Sequence, residues 1–222
     1  MLGWFAYLWF TPIPAPYQYQ LISEGDSKKF PQMDLDAWPD LKLSQYKVQA
    51  EGIDKPIAEL IVAQQGDGPR VLTYWKNSTN EILYNLDRKP SELSALAAVI
   101  GKHAPKDALI LSWWDTSRQI KLLTGHDTLF TSHLNEPLMV PVAWLEQSKA
   151  IMAYENQFWE SSANSKEQEQ FKRFSQALAA SAEEGVTQLR ELIGSSREAY
   201  LIVHVTDLYK LGLMYPDKIG VA

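Results

Sequence analysis

The 222-residue chain is 45% hydrophobic and 11% aromatic, and its 27 acidic against 21 basic residues leave a net charge of -6. That is enough apolar material for one buried core with a small extension, and no basic stripe stands ready to neutralise a phosphate backbone, which argues against a nucleic-acid partner. The lack of cysteine excludes disulfides, thiolate metal sites, covalent haem attachment through Cys-x-x-Cys-His and a cysteine nucleophile, without setting the compartment.

Met1 to Phe10, MLGWFAYLWF, is apolar throughout, and its aromatic residues suit the belt at a membrane interface. It has no basic n-region, no small-residue cleavage site and about half the length that spans a bilayer. It is either an element packed on the core or the outer end of an anchor, and the anchor is preferred. Thr11 to Pro16, with three prolines, then forms a stiff spacer. Residues 17–222 are expected to make a single α/β domain that continues past Ala222, since Lys218 to Ala222 reads as the opening of another strand.

From Tyr17 to about Leu86 the signals are strand-like. Tyr17 to Ile22, Tyr46 to Glu51, Ala58 to Ala63 and Val71 to Trp75 are short runs bounded by turn residues, and Gln64 to Pro69 is a turn, so an antiparallel meander is predicted. Asp26 to Asp40 is a loop in which Trp38 either caps the core or stays exposed. Beyond Lys89 helix and strand alternate. Leu93, Leu96, Ala97 and Ile100 share a helix face, with Ser91 available as N-cap. Ala108 to Trp113 reads as a strand buried on both sides of a parallel sheet. A helix over about Thr116 to Thr124 is stopped by Gly125, and Leu129 to Ser132 is a short strand candidate. Val142 to Trp159 mixes helical spacing with bulky aromatics. Lys166 to Ser181 is an amphipathic helix whose period runs on to Gly194. Tyr200 to Val205, YLIVHV, is read as a second buried strand leading through Asp207 into another helix. The fold class is α/β: a mixed or largely parallel sheet with flanking helices, preceded by a short antiparallel meander.

Ligands of parallel α/β sheets bind beyond the carboxyl ends of the strands. Both buried strands end in an acid that starts a helix, Asp115 after Trp113 and Trp114, and Asp207 after Thr206. Helix capping explains either Asp taken singly. Adjacent strand-end tryptophans cannot share a face, however, so one of them is expected at the loop edge, where an indole stacks on a sugar, a peptide or a partner. The candidate rim is Trp113, Trp114, Asp115, Arg118, His126, Asp127 and Asp207. His126 and His133 are weak metal candidates in a spacing that matches no known signature, while His103 sits in the last turn of its helix and His204 reads as a core histidine. Asn77 to Thr79 fits a glycosylation sequon. Dinucleotide, phosphate-loop, serine-hydrolase and zincin motifs are all missing from the sequence.

The segment LSWWDTSRQIKLLTGHDTLFTSHLNEP, together with LWFTPIPAPYQYQL and the apolar start, resembles the hydroxylamine oxidation protein HaoB family along most of the chain. The resemblance implies a membrane-associated accessory protein of nitrification, anchored in the inner membrane on its periplasmic side. Its implied role is docking or assembly beside hydroxylamine oxidoreductase or another periplasmic haem protein. It carries over no catalytic residue and no cofactor. A second likeness is confined to Trp113-Trp114-Asp115, which is similar to the start of the Trp-Trp-Asp-Tyr-Gly motif in the soluble domain of oligosaccharyltransferase catalytic subunits. Thr116 and Ser117 depart from that motif; the reading it implies is a glycan- or peptide-binding domain.

Overall fold

The computed structural model describes residues 14–78, 89, 91–135, 140–160, 165–194 and 197–220, so the apolar start at Met1 to Phe10 lies outside the described residues. Short extended runs separated by turns give β1 (Tyr17–Gly25), β2 (Leu41–Ala50), β3 (Ala58–Gln65) and β4 (Val71–Asn77), hydrogen-bonded antiparallel in that order. Gly66, at φ +54, provides the left-handed residue of the turn between β3 and β4. The central strand β3 is apolar on both faces because both are covered. Ile61 and Ala63 pack with Phe30, Leu43 and Leu93, whereas Leu60 and Val62 pack with Val48 and Trp159 on the opposite side.

The remaining chain forms α1 (Glu92–His103), β5 (Leu109–Leu111), α2 (Trp114–Thr124), β6 (Asp127–Thr128), α3 (Ser148–Trp159), α4 (Ser165–Leu178), α5 (Ala182–Ile193), β7 (Ala199–Leu201) and α6 (Val205–Met214). β5 lies at the centre of a parallel sheet ordered β6-β5-β7, with Leu109 opposite both Asp127 and Ala199. Ile110 packs with Ile100 of α1 and Ile120 of α2 on one face; Leu109 and Leu111 pack with Phe171 and Phe174 of α4 and Leu211 of α6 on the other. The result is a stack: α3, the meander, α1 with α2, the parallel sheet, then α4 to α6. The architecture is mixed α/β, with the expected meander preceding the parallel part.

The two halves are joined at β4. Buried backbone carbonyls must be given donors, and side chains of α2 supply them at the start of this strand: Arg118 donates from Nη2 to the carbonyl of Arg70, the residue before β4, at 2.6 Å and Gln119 donates from Nε2 to the Leu72 carbonyl at 2.7 Å. Trp38 of the long loop donates from Nε1 to the Leu123 carbonyl at 2.6 Å near the C-terminal end of α2, so it is a core cap. Gly125 ends that helix in the left-handed conformation at φ 72, as predicted, with its N–H on the Lys121 carbonyl.

Local details differ from the sequence reading. The short strand after α2 is Asp127–Thr128 rather than Leu129 to Ser132, because the residues opposite the start of β5 are those that follow Gly125 at once. Only Tyr200 and Leu201 of the run YLIVHV fall in a strand, the three-residue β7, which lies at a sheet edge among the described residues and leaves Leu201 and Val203 exposed. His204 is not inside that strand: it is the N-cap of α6, its ring accepting from Thr206 N–H. The long amphipathic period splits into α4 and α5 at Ala179 to Ser181, where the Ser181 hydroxyl caps α5. Ser91 occupies the cap position of α1 with helical φ, ψ of -75 and -9, so its hydroxyl makes no cap bond.

The tight crossing of α4 and α5 yields a stability test. A Cβ on Gly185 would stand 2.5 Å from the Ala177 carbonyl oxygen, backbone that cannot swing aside, whereas nothing lies within 4 Å of one built on Gly101 in α1. Helix propensity favours alanine by about 0.8–1 kcal/mol at both, but overpacking costs about 1–3 kcal/mol at the first. Chemical denaturation should therefore show Gly185→Ala losing up to about 2 kcal/mol net and Gly101→Ala gaining up to about 1 kcal/mol.

Candidate functional site

The carboxyl ends of β5 and β7 lie side by side because the strands are parallel, and this brings the two predicted acids to one rim. Lys210, one turn into α6, links them: its Nζ is 3.3 Å from Asp115 Oδ2 and 3.4 Å from Asp207 Oδ1. The same ammonium sits 4.9 Å from the Trp113 ring centroid. Asp207 is 1% exposed and completes a capping box, accepting from the His204 N–H at 2.9 Å, so helix capping holds the residue in place. Asp115 accepts from the Thr116 N–H at 2.7 Å, in the first turn of α2.

The two tryptophans part, but not by strand alternation: the strand expected over Ala108 to Trp113 is only Leu109–Leu111, Trp113 is the N-cap of α2 and Trp114 its first residue. Trp113 turns inward, 2% exposed and edge-on to Phe171 with centroids 4.9 Å apart. Its face lies beneath Lys210, which leaves it no open surface for stacking on a sugar. Trp114, half-buried at the first position of α2, meets the His133 ring edge-on at 4.6 Å.

Below the rim runs a buried polar seam. Arg118 is 3% exposed; besides the Arg70 carbonyl it donates from Nη1 to His133 Nδ1 at 3.1 Å. Burial brings its guanidinium down to about 10, while the charges of Asp115 and Glu167 hold it up, so it remains a cation at neutral pH. His133 stacks flat on Trp159, centroids 4.6 Å apart and planes 15° apart. Burial, then the neighbouring guanidinium, pushes its imidazole down to about 3. Glu167 carries an acceptor to the loop edge, where its Oε1 takes bonds from Thr131 N–H, Thr131 hydroxyl and Ser132 N–H at 3.0, 3.1 and 3.3 Å. Burial opposes its charge, but those donors prevail and hold its pKa low.

His126 and Asp127 belong to the other end of the sheet. Asp127 pairs with Leu109, the first residue of β5, so both stand at the amino ends of the strands, away from Asp115 and Asp207. Asp127 is exposed and bridges Lys121 and Arg197 at 3.0 Å each, bonds that lower its pKa. His126 is buried, and among the described residues neither ring nitrogen has a hydrogen-bond partner. No group of three or more histidine or acidic side chains stands where it could hold a metal among the described residues, and His133 Nδ1 already faces a permanent cation.

A family model describing the HaoA-associated protein HaoB matches residues 1–222, the whole chain. The chain belongs to that family. No curated protein and no solved structure matches it. Membership places it among HaoA-associated proteins, in the context of hydroxylamine oxidation and nitrification.

For this HaoB-family chain, sequence reasoning located Asp115, Asp207 and Arg118 but missed five residues. Lys210 stood in an amphipathic helix with nothing to mark it. Glu155 and Trp159, four apart on α3, and Tyr17 and Tyr19, two apart on β1, each share a face. The meeting of these pairs is tertiary: Glu155 Oε1 accepts from the hydroxyls of both Tyr17 and Tyr19, the latter at 2.8 Å, while Oε2 accepts from Trp159 Nε1 at 2.7 Å.

The neutral imidazole of His133 makes stability depend on pH. Below the ordinary imidazole value of 6.5 the unfolded chain binds a proton that the folded chain refuses until about 3. Stability therefore falls as pH falls through that window, by up to about 1.4 kcal/mol per pH unit, and this group adds no slope above it. Denaturation midpoints followed down through the window should drop more steeply in the wild type than in His133→Phe, which is less stable overall but lacks the titrating ring. Parallel profiles would show that His133 is not the group responsible.

Proposed function

We propose that this chain is a membrane-tethered accessory protein that docks on HaoA, the hydroxylamine oxidoreductase, on the periplasmic side of the inner membrane. The observation that carries the reading is the family match along the whole chain. The composition of Met1 to Phe10 supports the tether, its rings matching an interfacial belt and the three prolines that follow making a spacer. No helix among the described residues is long and apolar enough to cross a membrane, so the tether is assigned to that N-terminal segment.

The docking face we assign is the side of β7 that carries no further strand among the described residues, together with the start of α6. Leu201, Val203, Val205 and Leu208 are all exposed there, at 44–58%. Single exposed apolar residues are ordinary, but a run of them along β7 and the first turn of α6 is the pattern of a partner surface. Lys210, on the same helix, borders it. The charged and aromatic residues behind the rim brace this edge; the contact itself falls to the aliphatic residues.

Immobilised full-length protein should capture HaoA. Introducing Val203→Glu with Leu208→Glu should weaken capture by about tenfold or more, the size expected of central contact residues. Val186→Glu, on the exposed face of α5, should leave it unchanged. HaoA retained equally by all three proteins, or by none, would remove the proposed face. Partitioning into liposomes by the full chain, and its loss in a chain that starts at Tyr17, tests the tether.

A further inference from the structure

The Glu155 cluster has no part in that docking face and lies in the opposite outer layer of the stack. It gathers three side chains that can be oxidised by one electron around a single buried carboxylate. Tyr17 and Tyr19, whose ring centroids are 5.8 Å apart, both donate their hydroxyls to Oε1, and Trp159 donates its indole N–H to Oε2. All three donors are neutral. Further rings continue the array: Tyr19 is 6.2 Å from Trp159 and 5.7 Å from Tyr154, and half-buried Trp144 is 5.6 Å from Tyr17.

Ordinary packing explains why aromatic rings gather on a sheet face. It does not explain why an acid is buried among them, since a carboxylate out of water is costly even when fully hydrogen-bonded. Proton chemistry supplies a reason. A phenol that loses an electron becomes a strong acid, so its oxidation near neutral pH requires that the proton leave with the electron. A base already hydrogen-bonded to the hydroxyl accepts it without rearrangement. Burial, with the charge of Glu155 next, raises the pKa of both phenols, so neither ionises beforehand and the proton is present to be moved.

We propose that Tyr17, Tyr19 and Trp159 form a one-electron relay with Glu155 as the shared proton acceptor, and that oxidising equivalents reaching the chain settle as a neutral tyrosyl radical on the Tyr17–Tyr19 pair. The oxidant is of a definite chemical class, a high-potential one-electron acceptor such as a high-valent metal centre. In the forward step the phenol gives one electron to that acceptor, which is reduced by one, and its hydroxyl proton passes along the existing hydrogen bond to the carboxylate. The products are the phenoxyl radical and the protonated acid; return of one electron and the same proton restores the pair. Trp144, on the outer side of Tyr17, is the entry from the surface. The inference is independent of HaoA docking and is testable on the isolated chain.

The full-length protein is oxidised by flash-generated tris(bipyridine)ruthenium(III), with radicals followed by transient absorption and freeze-quench electron paramagnetic resonance. The chain has ten tyrosines, so the double variant Tyr17→Phe, Tyr19→Phe defines the background. The wild type should give a larger and longer-lived tyrosyl signal than that variant. In Glu155→Gln, if circular dichroism shows it folded, this component should form on the order of a hundredfold more slowly, the low end of what a positioned base contributes. A second reading needs no variant: the wild-type rate should not respond to added buffer base, because the acceptor is internal. Equal tyrosyl yields in wild type and double variant overturn the relay. An unchanged rate in folded Glu155→Gln, or a wild-type rate that climbs with buffer base, overturns Glu155 as its proton acceptor.

Discussion

Two carbonyls at the start of β4 set the terms for the rest of the molecule. A buried carbonyl without a donor costs about 1–3 kcal/mol, and here side chains from a helix supply the donors. Arg118 and Gln119, adjacent in α2, reach the carbonyls of Arg70 and Leu72, which point to the same side because they are two residues apart. Helix α2 thereby becomes the wall shared by both sheets: its Ile120 packs under the parallel sheet and its Leu123 on the meander.

That solution brings a cation into the interior, and the surroundings answer it. His133 offers Arg118 a lone pair, which it can do only as the neutral ring, and the guanidinium in turn keeps it neutral. The ring is clamped between Trp114 and Trp159, and Trp159 hands its N–H to Glu155. The polar seam beneath the rim and the carboxylate cluster above the meander are thus successive contacts along one line. Lys210 closes its outer end by holding Asp115 and Asp207 together. The two acids that the sequence sets on a candidate binding rim are joined here by one ammonium across two helix N-termini.

The two outer layers have different chemistry. The α4 to α6 side exposes aliphatic residues beside β7, a surface suited to a protein partner. The α3 side presents rings and phenols around one acid, suited to moving an electron and its proton. Membership in the family of HaoA-associated proteins gives both a context in which oxidation is the central chemistry.

The sequence by itself determined what depends on neighbours along the chain. Period-two runs and turn residues specified the meander, helical spacing and Gly125 specified α2, and the apolar run ending at Trp113 specified the central strand, since each rests on local backbone preference and on which side must be buried. The rim was partly legible for the same reason, as an acid after a buried strand marks a helix start whatever the fold. Only the tertiary structure decided what comes from elsewhere. Tyr200 to Val205 is as apolar as a central strand, yet among the described residues β7 sits at an edge, because sheet order is a relation among strands distant in the chain. His126 and Asp127 follow α2 closely but belong to the opposite end of the sheet, a consequence of parallel crossover. Lys210 lies 95 residues from Asp115, and Glu155 lies 138 from Tyr17. No local signal foretells such meetings, because the force that makes them is the burial of whole layers against each other.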